Sequence, residues 1–261
     1  MISATVIADS IHNDNRLTTV QVCFHRFILP HVLTHRAFSR NGRSDRAVPT
    51  EKLIEEVLTD PAIPISWGSN KPGMQAGKKL GKKISERCKE EWRFASEDAT
   101  YRAVDLLNKG VHKEVVNRLL DPFLWQHMLI SSTEWDNFFE QRISPLAQPE
   151  TKALASAIKK AIRESKPKRL GFNEWHTPYV TAKEEPDVEI RKMVSVARCA
   201  RVSYKPFDSK KKDIAKDLEL YNKLRDAKPP HWSPFEHVAT PSLFAPRGNF
   251  TGWEQERGLL S

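Results

Sequence analysis

Two runs rich in Val, Ile and Thr, residues 3–8 and 18–24, flank a polar stretch from Ser10 to Arg16 that carries Asn13-Asp14-Asn15. β-Branched runs bounded by Asn and Asp read as strand, turn, strand. The chain is therefore expected to open with an antiparallel pair. A two-stranded ribbon is marginal alone and has to bury its apolar face on further strands or helices.

The rest of the chain supplies mainly helices. Thr50 is placed to cap one with Leu53, Ile54, Val57 and Leu58 on one face, ending before Pro61. A long helix is expected from about Lys78 to Asn108, with a break near Gly81 and Gly110 as its C-terminal cap. Another runs from Val111 to Leu120, stopped by Pro122. Thr133 and Asp136 make a capping-box-like start for Glu134 to Arg142, and Pro149 opens a helix to about Ser165. Pro186 opens one through Met193 to Arg198, and Ser209 to Ala227 carries Ile214, Leu218, Tyr221 and Leu224 at helical spacing. Phe27 to His35 and Leu124 to Ile130 are too short for periodicity to choose between strand and helix. Strands followed mainly by helices make the expected fold class α+β.

Pro61 to Gly77 is broken by Pro64, Gly68, Pro72 and Gly73, yet it holds Trp67 and Met74. Such a loop either packs on the domain or serves as a substrate lid. Lys166-Pro167-Lys168-Arg169 is a basic connector and the best segment boundary, and the tail from His231 holds Pro234, Pro241 and Pro246, then Gly248-Asn249-Phe250. Cys23, Cys88 and Cys199 are far apart and odd in number, which suits reduced core thiols. No histidine spacing suits a metal site. No apolar run approaches the ~20 residues of a membrane span, and Met1 to Thr5 does not begin a signal peptide. A cytoplasmic protein without membrane contact is expected. The net charge of +9 calls for an anionic partner. No zinc finger, RNP pattern or KH loop accompanies it, so nucleic acid is not the expected partner.

The densest cationic feature follows the apolar run Phe27 to Leu33. From Thr34 to Pro49 the chain presents His35, Arg36, Ser39, Arg40, Asn41, Arg43, Ser44 and Arg46. Arginine forks and hydroxyls converging on one place suit phosphate or carboxylate; a solvated basic loop is the plain alternative. The order H-R-x-x-S-x-N-x-x-S-x-R resembles the signature of flavin-dependent thymidylate synthases, R-H-R-x-x-S-x-N-E-x-S-x-R-Y. Thr34, Gly42 and Ala47 stand where the family has arginine, glutamate and tyrosine.

Further stretches resemble the same family. Gly110 to Leu120 looks like its G-x-x-x-E-x-A-R-x-x-L-P helix, and Asn137 to Arg142 like its N-F-L-x-L-R. Ala147-Gln148 matches A-Q-W-E-I up to Pro149. Ala197 to Tyr204 resembles A-A-R-V-S, and His231 to His237 resembles H-x-T-P-F-E-H. The family places these last two before the signature, whereas here they follow everything else. The resemblance thus implies the family's fold, a mixed sheet flanked by helices, circularly permuted within a single 1–261 domain. Residues 1–165 would be the family's middle and C-terminal part, 166–185 a connector, and 186–261 the family's N-terminal part.

The resemblance implies a homotetramer that transfers a one-carbon unit from methylenetetrahydrofolate to C5 of dUMP, with FAD reduced by NADPH as hydride source. It assigns Arg142 to the pyrimidine ring and His231 to the flavin and folate face, these two being the catalytic candidates. Ser44, Arg46 and Arg118 are assigned to the nucleotide phosphate, with His31 where the family has a substrate-side glutamine. His35, Arg36, Asn137, Ser203, Ser233 and Glu236 are assigned to flavin. His237 reads either as part of that site or as a structural hydrogen-bonding histidine. Thr34 and Gly42 leave two alternatives open. One is a dUMP hydroxymethylase on the same scaffold; the other is a basic nucleic-acid-binding relative without the activity.

Overall fold

The computed structural model describes residues 1–202, 213–242 and 248–260. The opening ribbon is present and longer than its β-branched runs. β1 (Ser3–His12) and β2 (Asn15–His25) pair antiparallel from Ser3↔Cys23 to His12↔Asn15, with a register shift between Val6 and Ala8. Asn13 makes the turn at φ 51°, a left-handed conformation that Asn tolerates. A 3-10 turn at Arg26–Ile28 leads into the short helix α1 (Leu29–Leu33), so the run from Phe27 is helical as far as Leu33.

The basic stretch, expected as a loop, contributes an edge strand, β3 (Ser39–Gly42). α2 (Thr50–Thr59) and α3 (Lys82–Asn108) follow. Lys109 ends α3; Gly110, at φ 78°, donates its N–H to Leu107 and Val111 donates to Leu106, the paired closure expected of a glycine cap. The run from Val111 to Leu120 is not one helix. It divides into α4 (Lys113–Val116) and a 3-10 turn, Asn117–Phe123. Asn117 is fully buried there, and its amide donates to the Asp45 and Val48 carbonyls. That tertiary demand overrides local helix propensity.

β4 (Trp125–Ser132), α5 (Asp136–Ile143), α6 (Pro149–Glu164) and β5 (Lys168–Arg169) complete the part before the connector's end. The large sheet runs β3-β4-β2-β1-β5, antiparallel except for β5 on β1, and so is mixed as expected. Beyond it lie α7 (Val188–Arg201), α8 (Ile214–Asp226), a 3-10 turn at Ser233–His237, the hairpin β6 (Ala239–Pro241) and β7 (Trp253–Gln255), and α9 (Glu256–Leu260). The hairpin and α9 carried no signal in the proline-bearing tail. The first residues of the helix expected from Ser209 lie outside the described residues.

Three capping assignments change. Thr50 is the first helical residue; its hydroxyl donates to Asn117 Oδ1 instead of capping. Thr133 does not cap α5, because its hydroxyl accepts from the Thr251 N–H. α7 starts two residues after Pro186, capped by Asp187, which accepts from the Ile190 N–H at 3.0 Å.

The two sheet faces differ. Strand alternation sends Val20, Val22 and Phe24 of β2, with Met128 and Ile130 of β4, to one side. There they pack on Ile28, Val32, Phe138, Phe139, Leu154 and Ile158 from α1, α5, α6 and the turn before α1. The other face is covered by the segment after residue 170. Leu129 meets Cys199 and Val202, and a buried polar chain runs Ser10–His176–Thr19–Ser131–His237. Burial pushes both imidazoles down to about 3, so they are neutral hydrogen-bonding groups. His237 therefore has a structural place. In the 61–77 loop, Trp67 packs edge-on against Trp92 at 6.2 Å, while Met74 is exposed. Among the described residues no helix is long and apolar enough to cross a membrane.

Candidate functional site

The signature gathers its polar groups at three places around β3. The first lies before the strand. Arg142, near the end of α5, donates Nε to His35 Nε2 at 2.9 Å and Nη2 to Thr34 Oγ1 at 3.0 Å and to the His31 carbonyl at 3.4 Å. Thr34 Oγ1 in turn donates to the same carbonyl at 2.8 Å, and His31 Nδ1 bonds Thr151 Oγ1 at 2.9 Å. Burial lowers both imidazoles and Arg142 lowers them further, so each is held neutral. Among the described residues Arg142 has no carboxylate partner, and its Nη1 donors are uncommitted. A half-buried guanidinium framed by neutral groups attracts an anionic or oxyanionic ligand more strongly than a salt-bridged one. Thr34 supplies an acceptor to Arg142 where the family pattern would place a second positive charge.

The second place lies beyond the strand. Asp45, 3% exposed, pairs with Arg26 and with Arg118 Nη1 at 3.0 Å. Arg26 also holds Asp121 at 2.8 Å and the Gln126 side chain, and Arg118 approaches Asp121 at 3.4 Å. Arg46 meets Glu114 at 3.4 Å on the surface, and Ser44 is half-buried in the turn, accepting from the Ala47 N–H. Of Ser44, Arg46 and Arg118, only Arg118 bonds Asp45, a residue with no assigned role in the sequence reading; Ser44 and Arg46 are its chain neighbours, and Arg46 is turned to Glu114. Gly42 has a local reason. An added Cβ would lie 2.9 Å from Gln126 Nε2 and 3.0 Å from Met128 Cε, in the space taken by the amide that steadies Arg26.

Burial pushes the Asp45 carboxyl up to about 6, with Arg26 and Arg118 opposing and Asp121 adding to the rise. This folded value lies above the ~3.9 of a free carboxyl, so between those limits the folded protein holds a proton that the unfolded chain does not. The contribution of Asp45 to stability therefore grows as pH falls through that window and is least above about 6. Urea unfolding from pH 7 to 4 is expected to show the difference between wild type and Asp45→Asn shifting in favour of wild type as pH falls. A difference that stays flat would contradict the assignment.

The third place is a cleft of about 480 Å³ lined by Arg36, Phe38, Arg40, Glu236, Asn249 and Arg257 among others. Arg36 is exposed, while Arg40 donates to the Leu33 carbonyl at 2.6 Å. Glu236 pairs with Arg257.

The remaining signature side chains tie β3 to the C-terminal segment. Asn41 Nδ2 donates to the Cys199 carbonyl at 2.7 Å, and its Oδ1 accepts from Ser233 Oγ at 3.3 Å. Ser39 Oγ donates to Asn249 Oδ1 and accepts from Gln255 Nε2, both at 3.0 Å. Arg43 turns inward to Glu56 at 2.7 Å.

Other expected site residues stand apart within one chain. Asn137 is exposed on α5, whose buried residues are Phe138 and Phe139. His231 is exposed after α8, with its N–H on the Leu224 carbonyl, and among the described residues no hydrogen bond joins it to Arg142. The Arg142 and Arg118 groups are attached before and after β3. Ser203 lies outside the described residues. Among the described residues no group of three or more His, Cys, Asp or Glu could hold a metal ion.

The chain is thus a mixed α+β fold whose edge strand is flanked by clustered guanidinium groups, most of them paired with carboxylates. Residues 17–168, more than half of the chain, match the family model of the thymidylate synthase complementing protein, and the chain belongs to that family. No curated protein matches it. Among solved structures it resembles a UMP/dUMP methylase, PolB from Streptomyces cacaoi, bound with 5-Br UMP. That match has 14% identity, covers 62% of this chain and 88% of that one, and has a TM-score of 0.50. The same methylase bound with 5-Br dUMP matches at 17% identity over 56% of this chain and 66% of that one, with a TM-score of 0.43. The first likeness is one of fold.

Proposed function

We propose that the protein is a flavin-dependent enzyme that transfers a one-carbon unit from methylenetetrahydrofolate to C5 of dUMP, giving dTMP, with NADPH as reductant. The observation that carries this reading is Arg142, a guanidinium with uncommitted donors beside two neutral histidines. Chemistry at C5 and C6 of uracil builds negative charge on the ring oxygens, and a fixed guanidinium stabilises it. Family membership supports flavin and nucleotide as ligands, and the solved structure it resembles is that of a UMP/dUMP methylase.

The residues fit these groups. Arg118, Arg46 and Ser44 would hold the nucleotide phosphate, and Arg36 and Glu236 would line the flavin dinucleotide site in the arginine-rich cleft. Bound FAD would supply the hydride. The chain's own work is to hold the ligands in one arrangement and to exclude water from them. The family resemblance implies a homotetramer, in which sites shared between subunits would bring together the clusters of Arg142 and Arg118 that stand apart in one chain.

The same reading takes the chain as circularly permuted. The family match ends at residue 168, inside the connector. Asn41 of the signature binds both permuted stretches, through Cys199 and Ser233.

The test is the purified protein with dUMP, methylenetetrahydrofolate and NADPH. A yellow protein bleached by NADPH and a nucleotide heavier by one methylene unit are expected. A hydroxymethyl product would redirect the reaction's last step. A colourless protein with steeply salt-dependent DNA affinity would overturn the enzyme reading.

A further inference from the structure

We infer that Arg257, on the C-terminal helix, completes a phosphate-binding cleft with Arg36 and Arg40, and that this cleft takes the pyrophosphate of a flavin dinucleotide. The inference rests on the flavin reading for its ligand and on the cleft's geometry for the site. Arg257 lies outside residues 17–168 and outside every stretch that resembled the family.

The cleft walls come from two distant parts of the chain. Arg36, Phe38 and Arg40 precede or belong to β3; Glu236, Asn249, Gln255 and Arg257 belong to the C-terminal segment. Among the described residues its charge is three guanidinium groups against one carboxylate. Arg40 is half-buried and its Nη1 is spent on main-chain carbonyls; among the described residues no carboxylate is bonded to it, and Glu236 acts on its charge from a distance. Arg36 has no bonded partner among the described residues. Arg257 uses Nη1 for Glu236, and a guanidinium carries five N–H donors, so donors remain. Several arginines converging on a concave site are suited to a doubly charged phosphate chain.

The main chain that carries Arg257 is held in place, while its side chain is exposed and tied to Glu236. Its neighbour Glu256 is buried, meets Lys192 Nζ at 3.3 Å, accepts from Tyr221 Oη at 3.4 Å, and donates its N–H to the Val238 carbonyl. Gln255 Nε2 donates to Ser39 Oγ, to Asn249 Oδ1 and to the Glu236 carbonyl. Gly248 is at φ 133°, and a Cβ there would lie 2.2 Å from Gln255 Oε1. The glycine thus lets the chain close on Gln255 at the cleft wall. Side chains fixed in this way lose little freedom when a ligand binds.

The experiment compares full-length wild type with Arg257→Glu, Arg257→Gln and Arg257→Lys. It measures the flavin retained through gel filtration, and the affinities for added FAD, ADP and dUMP. Circular dichroism checks the fold, and Arg257→Gln covers the case in which charge repulsion from Glu236 undocks the helix. Arg257→Glu and Arg257→Gln are expected to weaken FAD and ADP about tenfold or more, with Arg257→Lys recovering much of the loss and dUMP unaffected. Unchanged FAD and ADP affinities in Arg257→Glu would overturn the inference. A loss confined to dUMP would overturn it too, by assigning the cleft to the substrate phosphate. ADP binding that depends on Arg257 in a protein that takes no flavin would support the cleft and sink the flavin reading. Wild type that binds neither FAD nor ADP would sink both.

Discussion

Arg142→Ala is expected to lower turnover about 10²–10³-fold, the usual consequence of removing a fixed donor from a developing oxyanion. Flavin retention should stay close to wild type, because Arg142 does not line the arginine cleft. The fold should also survive. Arg142 is only half-buried, and of its three partners only His35 is buried, while Thr34 is exposed and His31 half-buried. Arg142→Lys separates charge from geometry. Lysine keeps the charge but not the planar fork that spans His35 and Thr34, so its activity should fall between the other two. Steady-state turnover, with flavin absorbance measured on the same samples, decides the matter. Near wild-type turnover in Arg142→Ala would remove Arg142 from the reacting ring.

The largest stability loss is expected at Asp217. Arg198 is fully buried in α7 and donates Nε to Asp217 Oδ2 at 3.0 Å and Nη1 to the Tyr179 carbonyl at 2.9 Å. Glu184 lies 2.7 Å from the same guanidinium, and Arg201 takes the other Asp217 oxygen at 2.7 Å. Asp217→Ala deletes the carboxylate shared by two guanidinium groups, one of them without access to water. Breaking one side of a buried pair costs about 3–5 kcal/mol, and Glu184 keeps this case near the lower end. Urea unfolding should show the loss as a shifted midpoint. Asp217→Asn, which retains an acceptor, should lose less. The same change should loosen the signature, because α7 carries the Cys199 carbonyl that fixes Asn41. A midpoint within experimental scatter of wild type would show that this cluster does not hold α7 to α8.

How far the sequence spoke depended on whether local chemistry or tertiary contact set each feature. The β1–β2 ribbon, α2, α3 with its Gly110 cap and α6 follow from periodicity and caps; they appear where expected, except that α3 starts at Lys82, after Gly81, and not at Lys78. The break between α4 and the 3-10 turn does not, because it is imposed by Asn117 reaching the carbonyls of Asp45 and Val48 across the fold. β3 was hidden for a similar reason. Its residues, Ser39 to Gly42, are polar and carry no β-branched signal, and their strand form comes from pairing with β4. At the candidate site, motif order pointed to Arg142, Arg118, Arg36 and Glu236. It said nothing of Asp45, which organises Arg26 and Arg118, nor of Arg257, whose position depends on a hairpin and a short helix in the tail. Ser39 and Asn41 were visible as signature members, but their role, fastening the edge strand to the C-terminal segment, is a tertiary property.

The central claim is one-carbon transfer to a pyrimidine nucleotide on this scaffold. The mass of the nucleotide recovered after incubation with dUMP, methylenetetrahydrofolate and NADPH tests it most directly. The account predicts dUMP converted to a product heavier by one methylene unit, formed only when the protein carries flavin. Unchanged dUMP recovered from a flavin-loaded, NADPH-reduced protein would contradict it.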